Sequence, residues 1–272
     1  MKTVNLGGVN VPVIGQGTWH MGEQRTQRKQ EVAALREGLD LGMTLVDTAE
    51  MYADGGAEEV VGEAIAGVRE QVFLTSKVLP HNASRSGVID ACERSLRRLN
   101  TDVIDLYLLH WPGRHPVTET IEGFERLLEQ GKIKAWGVSN FDLDDMQALP
   151  AGCATNQVLY NLESRGIEYD LLPWQQSNAM PLMAYCPLSQ GGSLLQHPAL
   201  KQIAGRHAAT TAQIALAWTI RQSGVVAIPK AASIEHIRLN AAATELQLSQ
   251  SDLALLDKAF PPPMRKQPLE VV

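Results

Sequence analysis

The sequence predicts a (β/α)8 barrel, on three observations. Short apolar runs alternate with longer amphipathic stretches along most of the 272 residues. The runs number eight, and the Gly-rich turn of a doubly wound open sheet is missing. Gly15-Gln16-Gly17 is followed by Thr18-Trp19-His20, so the third glycine of GxGxxG is absent and the open sheet stands as the alternative. A barrel commonly fills about 250 residues. Without a linker or low-complexity segment, residues 1–272 read as one barrel domain.

The elements follow in order. A hairpin turning at Gly7-Gly8 precedes the first strand, Val13–Gly17. The next strands are expected over Leu45–Asp47, Val72–Ser76, Ile104–Leu109 and Ile133–Val138, then Thr155–Val158, Leu182–Tyr185 and Val225–Ile228. Several are apolar on both faces, as buried parallel strands are. Helical spacing of apolar residues predicts helices over Gln30–Leu41, Ser84–Leu99, Thr118–Gln130 and Thr211–Gln222. Ser84 is placed to cap the second of these, and Gly131 to end the third. The tail after Phe260 is short and opens with Pro261-Pro262-Pro263.

Composition narrows the function. Net charge is −6 with no dense basic run, which argues against nucleic acid as a partner. Cys92, Cys153 and Cys186 are odd in number and far apart, which fits reduced thiols in a cytosolic protein. No signal-peptide core and no membrane-length apolar run is read. Scattered histidines without HExxH give no metal set. No coiled-coil seam points to an obligate dimer, and a monomer is expected.

In a barrel the active site lies where strands hand over to helices. The strand ends here carry Thr18-Trp19, Asp47 followed by Tyr52, Lys77, His110-Trp111, Ser139-Asn140, Gln157, Tyr185 and Lys230. Taken singly, each has an ordinary structural reading: a capping Asp, a packed Tyr, a solvated Lys, a buried His. Together on neighbouring strands, Asp47, Tyr52, Lys77 and His110 form an acid–base set. A free Tyr hydroxyl has a pKa of about 10. A nearby ammonium lowers it, and a carboxylate keeps that ammonium charged. A His beside the Tyr can direct an N–H at a carbonyl oxygen.

The motifs resemble those of the aldo-keto reductase superfamily. They are Asp47-Thr-Ala-Glu-Met-Tyr52, Thr75-Ser76-Lys77, Leu108-Leu109-His110-Trp111-Pro112, Gly137-Val138-Ser139-Asn140-Phe141 and Ile228-Pro229-Lys230. The resemblance implies a barrel that reduces small carbonyls with NADPH. Tyr52 would be the general acid, Lys77 and Asp47 its tuning pair, and His110 the orienting donor. Ser139, Asn140 and Gln157 would hold the nicotinamide carboxamide, and Tyr185 would stack on the ring. Leu188 and Gln190, in the Gly-rich loop after the seventh strand, would approach the phosphates. Lys230 and the helix start at Ser233 suit an anion, and Asn240 would face the adenine. Many relatives carry an arginine where this chain has His236, so the NADPH preference is weakened and NADH use stays open. Arg238 lies two residues further along and on a different face.

The segment Gly113–Val117 is short, like the tail. A shallow pocket walled by Trp19, Trp111 and Tyr52 is expected. It suits small aldehydes, 2-oxoaldehydes or sugar-derived ketones, as in bacterial members that reduce methylglyoxal-like compounds or diketogluconate. A cofactor-binding, redox-sensing subunit on the same barrel is the alternative function.

Overall fold

The computed structural model describes residues 1–272. The first two strands, β1 (Thr3–Leu6) and β2 (Val9–Pro12), pair antiparallel around Gly7 and Gly8, both at positive φ, as the turn requires. Eight parallel strands follow in consecutive order: β3 (Gln16–Gly17), β4 (Leu45–Asp47), β5 (Phe73–Val78), β6 (Ile104–Leu109), β7 (Ile133–Ser139), β8 (Cys153–Leu159), β9 (Leu182–Tyr185) and β10 (Val225–Ala227). Bridges from Ile14 to Ala227 and from Gly17 to Lys230 join the last strand to the first and close the barrel. A Cβ on Gly17 would lie 2.7 Å from the Ile228 carbonyl oxygen, so this seam needs a glycine.

The first strand is shorter than its sequence suggests. The Val13 amide donates to Lys2, at the entry to the hairpin, and only Gln16–Gly17 pairs along β4. The expected helices are found as α1 (Arg28–Asp40), α3 (Arg85–Leu99), α4 (Val117–Glu129) and α8 (Thr211–Thr219). Ser84 Oγ accepts the Gly87 amide and caps α3, and Gly131 (φ +68°) follows α4. The others are α2 (Gly56–Ile65), α5 (Leu143–Ala148), α6 (Leu171–Ser177), α7 (Pro198–His207), α9 (Ile234–Ala242) and α10 (Gln250–Ala259).

Two layers of core hold this arrangement. Val46, Leu74, Tyr107 and Leu109 face outward under the helices. Leu45, Phe73, Leu106, Leu108, Met183 and Val226 face inward and pack with Leu6 and Val11 of the hairpin. The hairpin therefore plugs the end of the barrel at which the strands begin. Side chains alternate along a strand, so the inward series runs Leu45 to Asp47 on β4 and Phe73 through Thr75 to Lys77 on β5. It runs Leu106, Leu108 and then His110 on β6. The same alternation that fills the barrel floor with apolar groups delivers Asp47, Lys77 and His110 to its mouth.

Candidate active site

Lys77 is fully buried, not solvated as a lone strand-end lysine would be. Its Nζ donates to Asp47 Oδ2 at 2.8 Å, to the Thr48 carbonyl at 2.9 Å and to Tyr52 Oη at 3.1 Å. Those three bonds use all three ammonium protons. Burial alone would lower the Lys77 pKa, but the Asp47 carboxylate and Tyr52 overcome it and hold the ammonium above its ordinary value. Asp47 is fixed on its other oxygen by Gln157 Nε2 at 2.8 Å, and its carbonyl accepts from Thr18 Oγ1 at 2.9 Å.

Tyr52 lies just beyond β4, where Ala53, Asp54 and Gly55 all take left-handed backbone. This run turns the chain sharply into α2 and leaves the phenol half-buried beside Lys77. Because its oxygen accepts from Lys77, the hydroxyl proton is directed away from the ammonium. Lys77 lowers the Tyr52 pKa through its charge and its hydrogen bond, as expected, but the net shift is upward. Burial raises it by more than the Lys77 charge lowers it, and the nearby Asp47 charge adds to the rise. Tyr52 therefore rests as the neutral, proton-bearing phenol.

His110 stands edge-on to Tyr52, with ring centroids 5.8 Å apart, and is tilted against Trp111. Burial and the neighbouring Lys77 charge lower its pKa to about 2, so the ring is neutral. Its buried Nδ1 has no hydrogen-bond partner. A neutral His110 adds no ionisation between pH 5 and 8. If it orients substrate as a neutral ring, a pH profile of kcat/KM will lack a histidine limb in that range. A limb that vanishes in His110→Gln would contradict this.

A cavity of about 610 Å³ opens beside these groups. It is lined by Asp47, Tyr52, His110, Trp19 and Trp111, by Ser139, Asn140, Gln157 and Tyr185, and onward by Leu188, Gln190, Lys230, His236 and Asn240. Such a volume is typical of small-molecule pockets and far exceeds what a three- or four-carbon carbonyl needs. Ser139 Oγ donates to the Gln157 carbonyl, and Asn140 Nδ2 to the His110 carbonyl. Tyr185 Oη donates to Asn140 Oδ1 at 2.8 Å, which orients both side chains. Lys230 is exposed and faces the cavity with its charge uncompensated by any ion pair. An extended ligand with an amide at one end and anionic groups towards Lys230 fits this lining.

Ser233 stands at the start of α9. It does not line the cavity; its hydroxyl accepts the His236 amide as the cap of α9. Arg238 pairs with Glu37 at 2.7 Å, consistent with its different face. The short tail also does more than sequence suggests. Lys266 pairs with Asp142 and Asp170, Ser164 donates to Glu270, and Val272 lines the cavity. His20, Met51 and Cys186 line it too. Burial pushes the Cys186 thiol up to about 11, which keeps it out of the nucleophilic thiolate form. No group of three or more His, Cys, Asp or Glu side chains is placed to hold a metal ion. No helix is long and apolar enough to cross a membrane.

A buried lysine–carboxylate pair behind a phenol, at the mouth of a closed parallel barrel, defines an acid–base site of the barrel oxidoreductase class. The chain matches the aldo/keto reductase family over residues 13–260 and belongs to it. It is 59% identical over 275 residues to methylglyoxal reductase YeaE of Escherichia coli (strain K12), covering 98% of this chain and 97% of that protein. It is 35% identical over 261 residues to a glyoxal reductase of Bacillus subtilis (strain 168), covering 94% and 91%. An aldo/keto reductase from Klebsiella pneumoniae, solved in complex with NADP and acetate, aligns with a TM-score of 0.98 at 58% identity, covering 100% of this chain and 99% of that one.

Proposed function

We propose that this protein reduces small, neutral 2-oxoaldehydes of the methylglyoxal type to hydroxy-carbonyl products, using NADPH. The observation that carries the reading is the three-way donation by Lys77 to Asp47, Thr48 and Tyr52, which leaves the Tyr52 proton free to face the cavity. The likeness to the E. coli methylglyoxal reductase supports the substrate class. The cofactor reading is supported by the Klebsiella complexes with NADP and with NADPH.

Bound NADPH would supply the hydride to the carbonyl carbon. Tyr52 donates its proton to the carbonyl oxygen as negative charge develops there. Lys77, held charged by Asp47, stabilises the phenolate that remains. Neutral His110 donates an N–H to the same oxygen and sets its direction. Ser139, Asn140 and Gln157 would hold the carboxamide, and the Tyr185 ring would support the nicotinamide. Leu188 and Gln190 would lie towards the phosphates. Lys230 would take the 2′-phosphate, with His236 and Asn240 on the adenosine side. With histidine rather than arginine at position 236, NADPH would be favoured through Lys230, with NADH as a weaker substitute.

The carbonyl side is walled by Trp19, Met51, Tyr52 and Trp111, with no arginine among the lining residues. This argues for neutral carbonyls over carboxylate-bearing keto acids and diketogluconate. The test is NADPH and NADH consumption by purified protein across simple aldehydes, 2-oxoaldehydes, sugar-derived ketones and keto acids. Turnover fastest with methylglyoxal and NADPH is expected. No consumption of either cofactor across the panel would overturn the reading.

A further inference from the structure

Glu31, in the first turn of α1, has no part in the chemistry above, yet its side chain is buried. Acids in a first helical turn are ordinarily solvated and interact with the helix dipole. Here Oε2 accepts the backbone amide of Gly22 at 3.0 Å, and Oε1 is buried with no partner. No cation pairs with it. A carboxylate buried on these terms is costly, and the one group it engages is the loop that follows β3.

That loop carries Trp19 and His20, stacked with ring centroids 4.3 Å apart and both lining the cavity. Its start is tied to the catalytic set through Thr18 Oγ1 and the Asp47 carbonyl. Its end, Gly22 (φ +79°), lies flat against the backbone that follows Tyr52. A Cβ at Gly22 would stand 2.4 Å from the Gly56 carbonyl carbon and 2.8 Å from the Ala57 nitrogen. Gly56 comes directly after the left-handed run Ala53-Asp54-Gly55. Gly22 thus contacts both the Glu31 carboxylate and the backbone after Tyr52.

We propose that Glu31 is a positioning residue for the carbonyl side of the cavity. Through the Gly22 amide it fixes the Trp19–His20 wall and braces the turn that presents Tyr52. The proposal rests on the carbonyl-reduction reading. It assigns the effect to the carbonyl and not to NADPH, because neither Ser139, Asn140 and Gln157 nor the Lys230 side touches this loop through Glu31.

The experiment compares the wild type with Glu31→Leu, which removes the acceptor at similar volume, and Glu31→Gln, which keeps an acceptor oxygen. Small misplacements of reacting groups cost up to about a hundredfold. In Glu31→Leu the kcat/KM for methylglyoxal should fall by roughly tenfold or more, while the Kd for NADPH stays within about twofold. Deuterium uptake at residues 18–23 should rise. Glu31→Gln should recover most of the loss, to within about threefold of wild type. Wild-type kcat/KM in Glu31→Leu, an equal loss of NADPH affinity, or a Gln variant as impaired as Leu would each overturn the proposal. If Glu31→Leu does not fold, the wild-type Gly22 amide decides the matter. It should resist exchange, and exchange at the rate of an open loop would overturn the proposal. A wild type inert towards every carbonyl would instead sink the reductase reading, leaving Gly22 protection as a separate observation.

Discussion

Tyr52→Phe is expected to lower methylglyoxal turnover by about 10²–10⁴-fold, the usual worth of a positioned general acid. The Kd for NADPH should stay within about twofold, since the ring remains and only the hydroxyl is lost. The site offers no substitute donor at this point. His110 is held neutral by burial and by the Lys77 charge, and Lys77, though it loses its Tyr52 acceptor in this variant, is kept as the ammonium by Asp47 and gives up a proton poorly. Burial keeps the Tyr52 proton in place against the Lys77 charge, so the resting enzyme is poised for reduction. Its folded pKa is raised, so the acid form persists as pH rises past the ordinary tyrosine range. The reductive rate should therefore hold through neutral and mildly alkaline pH. Near-normal turnover by Tyr52→Phe would show that the proton comes from another group.

Lys77→Met is expected to abolish measurable turnover and also to destabilise the fold by about 3–5 kcal/mol, the cost of stranding one member of a buried ion pair. Asp47 would keep its bond from Gln157 but lose its only cation within the barrel mouth. The sign of the pH effect follows from Lys77 itself. Its folded pKa is raised, so the pair's stabilisation is complete below the ordinary lysine value and is lost as pH rises through the folded one. Adding Asp47→Asn to Lys77→Met should recover much of the stability, because the uncompensated charge is gone, while turnover stays lost. Chemical denaturation alongside assays of both variants checks this. A single variant as stable as wild type, or a double variant that regains activity, would show that the pair does something else.

The barrel and the polar rim at its mouth were legible for one reason. Alternation along β4, β5 and β6 is regular, so a polar residue at the end of an apolar run must emerge at the barrel mouth. Asp47, Lys77 and His110 follow from that rule alone, and Tyr52 joins them through its motif. What escaped depends on contacts between distant segments. Lys77 is paired with Asp47 in the sequence reading, but its complete burial and its bond to the Thr48 carbonyl, 29 residues away, are not legible there. The Gln157–Asp47 bond spans 110 residues. The α2 helix was not read because its ten residues include Gly56 and Gly62 and most of them are buried, which blurs the amphipathic spacing. The capping of α9 by Ser233 follows from a hydroxyl at a helix start and shows in the structure as its bond from the His236 amide. Glu31 resembled any acid in a first helical turn, and only the close approach of Gly22 to Gly56 gives it a role.

Transfer of deuterium tests the central claim most directly. Purified protein is given methylglyoxal and NADPH carrying deuterium at both positions on C4 of the nicotinamide, and the product is analysed by NMR and mass spectrometry. One deuterium on the new carbinol carbon is predicted, with the hydroxyl proton drawn from solvent-exchangeable groups. A product without deuterium, or NADPH left unoxidised, would contradict reduction at this site.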